Sequence, residues 1–229
     1  MPLLSVIVPV YNEAKTVAQI IEKIRAVPID KEIIIVEDCS TDGTLNVLQD
    51  ILKMSGSYGT KVIYHSDNHG KGASVKDGIR EATGEFVVIQ DADLEYDPRE
   101  YTHLLQPLSE NQADLVLGSR FKSGNTSLFL HRLGSRFLTG MVNFLFGAKL
   151  NDYATCYKMA RKATLVSLDL KMDGFNIDVE IICKALKGRL RIVEVPIAYY
   201  PRGYAEGKKT RWFHGFQALA SILKHRLIA

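Results

Sequence analysis

Short apolar runs separated by polar turns recur through the first half of the chain: LSVIVPV at 4–10, KEIIIVED at 31–38, KVIYH at 61–65, EFVVIQD at 85–91 and ADLVLGS at 113–119. Each is too short for a helix and too continuously apolar for a strand with one wet face. They predict strands of a mainly parallel sheet buried on both faces. Helical periodicity fills the gaps between them. Glu13 to Arg25 sets Val17, Ile20, Ile21 and Ile24 on one face, and Thr41 to Met54 does the same with Leu45, Leu48, Ile51 and Leu52. Ser40, Thr41 and Asp42 supply capping groups for that second helix. Lys71 to Ala82 is a third helix, tolerating Gly78 at some cost in propensity. Strands alternating with helices predict an open α/β sandwich, a central sheet flanked by helices.

Beyond Arg120 the alternation fails. Leu128 to Leu145 reads as one helix or a broken pair, with Leu130, Leu133, Phe137, Met141, Phe144 and Leu145 apolar. With the short run Thr155 to Ala160 it reads as an insertion between sheet elements. Ile177 to Leu186 predicts an amphipathic helix, and Leu190 to Val195, stopped by Pro196, an edge strand. The tail puts Trp212, Phe216, Leu219, Ala220, Leu223 and Leu227 at helical spacing. Trp212 suits either core packing or contact with lipid.

Composition narrows the class. The 229 residues are 46% hydrophobic, enough for the core of one domain, so disorder is a poor reading. The uncharged run Phe137 to Ala148 has only 12 residues, short of the roughly 20 that a membrane-crossing helix needs. The first residues lack the basic segment of a signal peptide. Cys39, Cys156 and Cys183 are too few and scattered for a disulfide framework or a zinc site, which fits a reducing, cytoplasmic setting.

The net charge of +3 conceals an asymmetry. Residues 120–149 carry five Lys or Arg and no acid, residues 200–229 carry six against one acid, and the other 169 positions sum to −7. Two basic segments on an otherwise acidic protein predict phosphate groups or an anionic membrane surface as partners. Nucleic acid is not expected, because acids at the strand ends would repel its phosphates.

In open α/β sheets ligands bind beyond the carboxyl ends of the strands. There the sequence places Tyr11, Asn12 and Glu13, then Glu37, Asp38, Ser40 and Asp42, then Asp91, Asp93 and Glu95. Two close acids repel and raise each other's pKa unless a cation joins them. Oxygen ligands suit Mg2+ or Mn2+, although Asp91 and Asp93 serve equally well as turn or capping groups. No G-x-G-x-x-G follows the first strand, and Gly70-Lys71-Gly72 lacks the rest of a P-loop. Lys71 is a phosphate contact or the first turn of a solvated helix. Asp178 and Glu180, two apart and off a common helix face, read as capping or surface acids or as acceptor-side groups.

VPVYNE, VEDCSTDGT, NHGKGASVKDG, QDADLEYDP and LVLGSRF, in that order, resemble a family 2 glycosyltransferase of the GT-A fold. The continuation RLGSRFLTGMVNFLFG, DYATCYKMARK, GFNIDVEI and VEVPIAYYPRGYAEGKKTRW is similar to the polyprenyl- and dolichyl-phosphate branch, especially short mannose synthase-like members without membrane spans. The resemblance implies a Rossmann-like GT-A domain over 1–229, with a nucleotide-sugar-binding half at 1–120 and an acceptor-side half with a C-terminal amphipathic helix at 121–229. It implies inverting transfer of a hexose, from GDP-mannose or UDP-glucose, to a polyprenyl or dolichyl phosphate at the cytoplasmic membrane face. A soluble hydroxyl acceptor, or a non-catalytic nucleotide-sugar binding protein, is the alternative.

By the same resemblance Pro9, Tyr11, Glu13, Glu37 and Asp38 line the nucleotide pocket. Asp91, Ala92 and Asp93 form the metal and diphosphate motif, with Glu95 as a further ligand where mannose synthases often carry Gln. Arg120, Arg132 and Ser135 meet phosphates, and Arg202, Lys208, Lys209 and Arg211 close over donor and lipid. Asp152 or Asp178 would act as base if the acceptor were a hydroxyl.

Overall fold

The computed structural model describes residues 1–55, 59–121, 129–203 and 213–227. In chain order these form β1 (Leu4–Val10), α1 (Val17–Ala26), β2 (Lys31–Glu37), α2 (Thr44–Ser55), β3 (Thr60–Tyr64), α3 (Lys71–Glu81), β4 (Phe86–Ile89), a 3-10 turn (Pro98–Glu100) and α4 (Tyr101–Ser109). Then follow β5 (Leu115–Ser119), α5 (Phe129–Phe146), β6 (Lys158–Arg161), α6 (Lys162–Ser167), α7 (Ile177–Lys187), β7 (Ile192–Pro196) and α8 (Phe213–Leu227).

One seven-stranded sheet runs in the order β3-β2-β1-β4-β6-β5-β7. β1 pairs in parallel with β2 and β4, β2 with β3, and β5 with β7, while β6 is antiparallel to both its neighbours. This is the mainly parallel sandwich that the apolar runs predict, with β7 as an edge strand. Leu45 of α2, predicted to face the sheet, is exposed and Ile51 and Leu52 are half-buried, whereas Leu48 of α2 and Val17, Ile20, Ile21 and Ile24 of α1 are buried in the core as predicted. Each such side chain contributes roughly 1.5–3 kcal/mol relative to exposure. Gly78 is required in α3, because a Cβ there would run into the Ile7 side chain of β1.

Two elements depart from the sequence reading, and a third takes one of the two forms it left open. The run Thr155 to Ala160 is not part of a peripheral insertion: its end enters β6, wedged between β4 and β5 in mid-sheet. Lys158, fully buried within it, disguises a core strand as a surface segment. The helix at 129–146 is continuous over 18 residues. α4 was not expected, because Pro98 and Pro107 mask its period; yet Tyr101, Leu104 and Leu108 bury one face.

Strand register makes the crevice. Ile7 lies opposite Ile89, the last residue of β4, while β1 continues to Val10 opposite Glu37. β4 therefore stops three residues short of the β1 rim, and its following loop occupies the recess. Chain order along the sheet reverses between β1 and β4, the topological switch where such sheets bind ligands.

Candidate active site

The loop after β4 is anchored from below. Buried Gln90 accepts hydrogen bonds from the hydroxyls of Tyr101 (2.6 Å) and Tyr157 (2.7 Å) and donates to the carbonyl of Asp91 (3.0 Å). The Asp91 N–H donates to Cys156 Sγ at 3.3 Å. Leu94 sits at φ +64°, a left-handed conformation that costs a leucine energy and persists only where the surroundings impose it. Asp93 Oδ1 accepts the Glu95 N–H across this bend at 3.1 Å.

The acids here are not equivalent. Asp91 carries the Lys71 ammonium at 2.8 Å from Oδ1 and 3.1 Å from Oδ2. Among the described residues the ion pair of Asp93 is the longer one with Arg202, at 3.6 Å. Burial, then Asp91 and Glu95, push the Asp93 carboxyl up to about 7 against the opposing pull of Arg202. Negative charge at this point is under-compensated, which is the condition a cation relieves. Among the described residues no three His, Cys, Asp or Glu side chains converge as a metal-ligand set. Asp91 and Asp93 instead suit an ion that takes its remaining ligands from phosphate oxygens and water, as Mg2+ commonly does.

Glu95 does not complete that set as expected. Its Oε2 accepts the Tyr199 hydroxyl at 2.7 Å and its Oε1 the Arg202 N–H at 3.0 Å, while its carbonyl accepts the Tyr200 N–H at 2.9 Å. Glu95 fastens the segment after β7 to the loop after β4, and thereby delivers Arg202. The guanidinium of Arg202 makes two hydrogen bonds to Glu13, at 2.8 and 3.0 Å. Although burial disfavours its charge, Glu13 and Asp93 raise its pKa. Residues after β1, β4 and β7 thus meet at the switch point.

Asp152 is the clearest correction. Its fully buried carboxylate accepts Nε and an Nη of Arg120, both at 2.7 Å, and the Arg120 N–H at 3.1 Å. A carboxylate clamped in this way is not available as a base. The Arg120 guanidinium lies 5.2 Å from the centre of the Tyr199 ring, whose hydroxyl donates to Glu95.

Asp38 likewise builds backbone. It accepts N–H groups of His69 and Gly70, both at 2.8 Å, and faces His65 Nδ1 at 2.7 Å, which shapes the turn into α3. Glu37 accepts the Ser40 N–H at 2.7 Å. Around them Pro9 is half-buried, Tyr11 exposed and Ala92 buried. Lys71 is no solvated helix start, being only 12% exposed and paired with both Asp91 and Asp178. Ser135 sits half-buried in α5, and its Oγ has no hydrogen-bond partner among the described residues. The side chain of Arg132, and all of Lys208, Lys209, Arg211 and Trp212, lie outside the described residues.

Sequence reasoning missed three features. Asp178 is not a surface acid: it is held by Lys158 at 2.7 Å and Lys71 at 3.3 Å. Glu180 is buried and accepts the N–H groups of Lys171 and Met172. His65 bridges Asp38 and Asp77. The one available signal was Lys158 inside an apolar run, a position a lysine occupies only with a partner.

The family model described as Glycosyl transferase family 2 matches residues 5–167. The glycosyltransferase AglJ of Haloferax volcanii is 28% identical over 200 residues, covering 86% of this chain and 63% of that protein. The dodecaprenyl-phosphate galacturonate synthase of Rhizobium johnstonii is 29% identical over 226 residues, covering 96% and 66% respectively. The chain therefore spans just under two thirds of the length of these curated relatives. Among solved structures, glucosyl-3-phosphoglycerate synthase from Mycobacterium tuberculosis, in complex with Mn2+, UDP-glucose and phosphoglyceric acid, superposes with a TM-score of 0.71 at 20% identity, covering all of this chain and 81% of that one.

Proposed function

Since the chain belongs to glycosyl transferase family 2, we propose that it moves a hexosyl group from a nucleotide sugar to an acceptor nucleophile at the β1/β4 crevice, with Asp91 and Asp93 holding Mg2+ or Mn2+ against the donor diphosphate. The observation that carries this reading is the acid pair in the recess, flanked by Lys71 and Arg202. Both cations keep their charge: burial disfavours the Lys71 ammonium, but Asp178 and Asp91 raise its pKa well above normal.

Breaking the bond between the anomeric carbon and the phosphate transfers negative charge to the departing diphosphate. The ion, when bound, neutralises part of that charge as a Lewis acid. Arg202, held by Glu13, adds fixed positive charge at the same place, which lowers the barrier because it requires no reorganisation, and Lys71 adds a second cation beside it. Glu13 and Glu95 position Arg202, and Asp38 positions the turn that carries Lys71. Direct attack opposite the leaving group would invert the anomeric centre.

For the donor, the solved relative carrying UDP-glucose favours a UDP-linked hexose over GDP-mannose. For the acceptor, the same relative holds a small soluble hydroxyl compound, phosphoglyceric acid, and favours such an acceptor over the lipid phosphate implied by sequence resemblance. A second reading keeps the lipid phosphate on two grounds of its own. Asp152 and Asp178 are both consumed by ion pairs, and a phosphate acceptor, already anionic, needs no base. Leu133, Phe137 and Phe144 of α5 and Phe216, Leu223 and Leu227 of α8 are exposed beside Arg136, Lys224 and Arg226. That pattern suits peripheral attachment to an anionic membrane. Among the described residues no helix is long and apolar enough to cross one.

Radiolabelled UDP-glucose and GDP-mannose, each incubated with Mn2+ and either 3-phosphoglycerate or a polyprenyl phosphate in detergent, separate these readings. Label from UDP-glucose in either acceptor supports transfer and identifies the acceptor class. A protein that binds neither donor with Mn2+ contradicts the proposal.

A further inference from the structure

Lys71, Asp91, Asp178 and Lys158 form a chain of buried ion pairs that the proposed reaction leaves half unexplained. Lys158 is fully buried, and its ammonium donates to the Thr155 carbonyl and to Asp178 Oδ1 at 2.7 Å. Asp178 Oδ2 lies 3.3 Å from Lys71, which in turn rests on both oxygens of Asp91. Two ammonium groups balance two carboxylates. Asp178 lies in the first turn of α7, where the helix dipole also favours its negative charge.

In this arrangement the Lys71 ammonium occupies the oxygens of Asp91 that a divalent cation would use. A cation arriving there must displace it, and a lysine left beside a divalent ion with no counter-charge would oppose binding. Asp178 is the only carboxylate other than Asp91 paired with Lys71 among the described residues. Lys158 fixes Asp178 through one oxygen and leaves the other facing Lys71. Close packing restricts where Lys71 can go: a Cβ on Gly72 would meet the Met172 carbonyl, so the start of α3 lies hard against the segment leading into α7.

Resting on the metal site proposed above, we infer that Asp178, steadied by Lys158, is a positioning residue that provides a second seat for Lys71, so that Asp91 exchanges an internal ammonium for a divalent cation with the buried charge balanced throughout. Lys71 is then a built-in competitor of the metal as well as a phosphate contact. Asp178 acts on the metal only through it.

The test is Mn2+ affinity, measured from the free-ion EPR signal with no nucleotide present, for the wild type, Lys71→Met, Asp178→Asn and the double variant. Lys71→Met should bind Mn2+ about tenfold more tightly, and Asp178→Asn about tenfold more weakly, within the range of couplings between contacting groups. In the double variant the Asp178→Asn penalty should vanish. Weaker or undetectable Mn2+ binding by Lys71→Met, or additive effects in the double variant, overturns the inference. Should Asp178→Asn fail to fold, the direction of the Lys71→Met change decides alone. Calorimetry of UDP with Mn2+ on the wild type keeps the two claims apart: no Mn2+-dependent binding there defeats the metal site and this inference together, whereas binding with the wrong variant pattern defeats only the inference.

Discussion

Arg202 and Glu13, 189 positions apart, are joined by two hydrogen bonds of 2.8 and 3.0 Å across the mouth of the crevice. The pair ties the segment after the last strand to the loop after the first, and holds a planar cation near Asp93. Lysine cannot reproduce that fork. Arg202→Lys should lower kcat/KM by about tenfold or more with little change in melting temperature, as read by steady-state kinetics beside thermal unfolding.

Asp152 and Arg120 make the opposite prediction. Removing one partner of a buried pair strands the other, at about 3–5 kcal/mol. Asp152→Ala should therefore lower stability in urea unfolding by that order. An Asp152→Ala protein of unchanged stability that binds donor but has lost turnover would restore the catalytic-base reading.

The Asp93 carboxyl sets a pH dependence. Its folded pKa, about 7, lies above the ordinary 3.8, so between those values the folded chain holds a proton that the unfolded chain has released. The stability this group contributes is fully present below the lower value and is lost as pH rises through the upper one. A divalent cation must displace the same proton, so binding improves as pH rises past 7. The rise in melting temperature on adding Mn2+ and UDP should be larger at pH 8 than at pH 6. Equal rises would contradict it.

Gly78 tests the packing of α3. Gly78→Ala gains helix propensity of up to about 1 kcal/mol, yet it forces a methyl into Ile7 in the core. Overpacking of this kind costs about 1–3 kcal/mol, so the net change in chemical unfolding should be destabilising.

The parallel half of the sheet was legible because its strands are buried on both faces and its helices on one, so the alternation survives in the order of residues. The acids at the strand ends were legible for the same reason: Glu13, Asp91 and Asp93 follow at once on apolar runs. What failed was pairing across sequence. Asp152, Asp178 and Glu95 look alike as isolated acids, and only the fold assigns them to Arg120, to Lys71 with Lys158, and to Tyr199 with Arg202. β6 was hidden by the same effect, since Lys158 is polar by type and core by position.

The central claim is that Asp91 and Asp93 together present a divalent cation to the diphosphate of a nucleotide sugar. Calorimetric titration of UDP into wild type, Asp91→Asn and Asp93→Asn, each with and without Mn2+, tests it most directly. The account predicts strong Mn2+ enhancement of UDP binding in the wild type and its loss in both variants while the fold is retained. Enhancement that persists in either variant would contradict it.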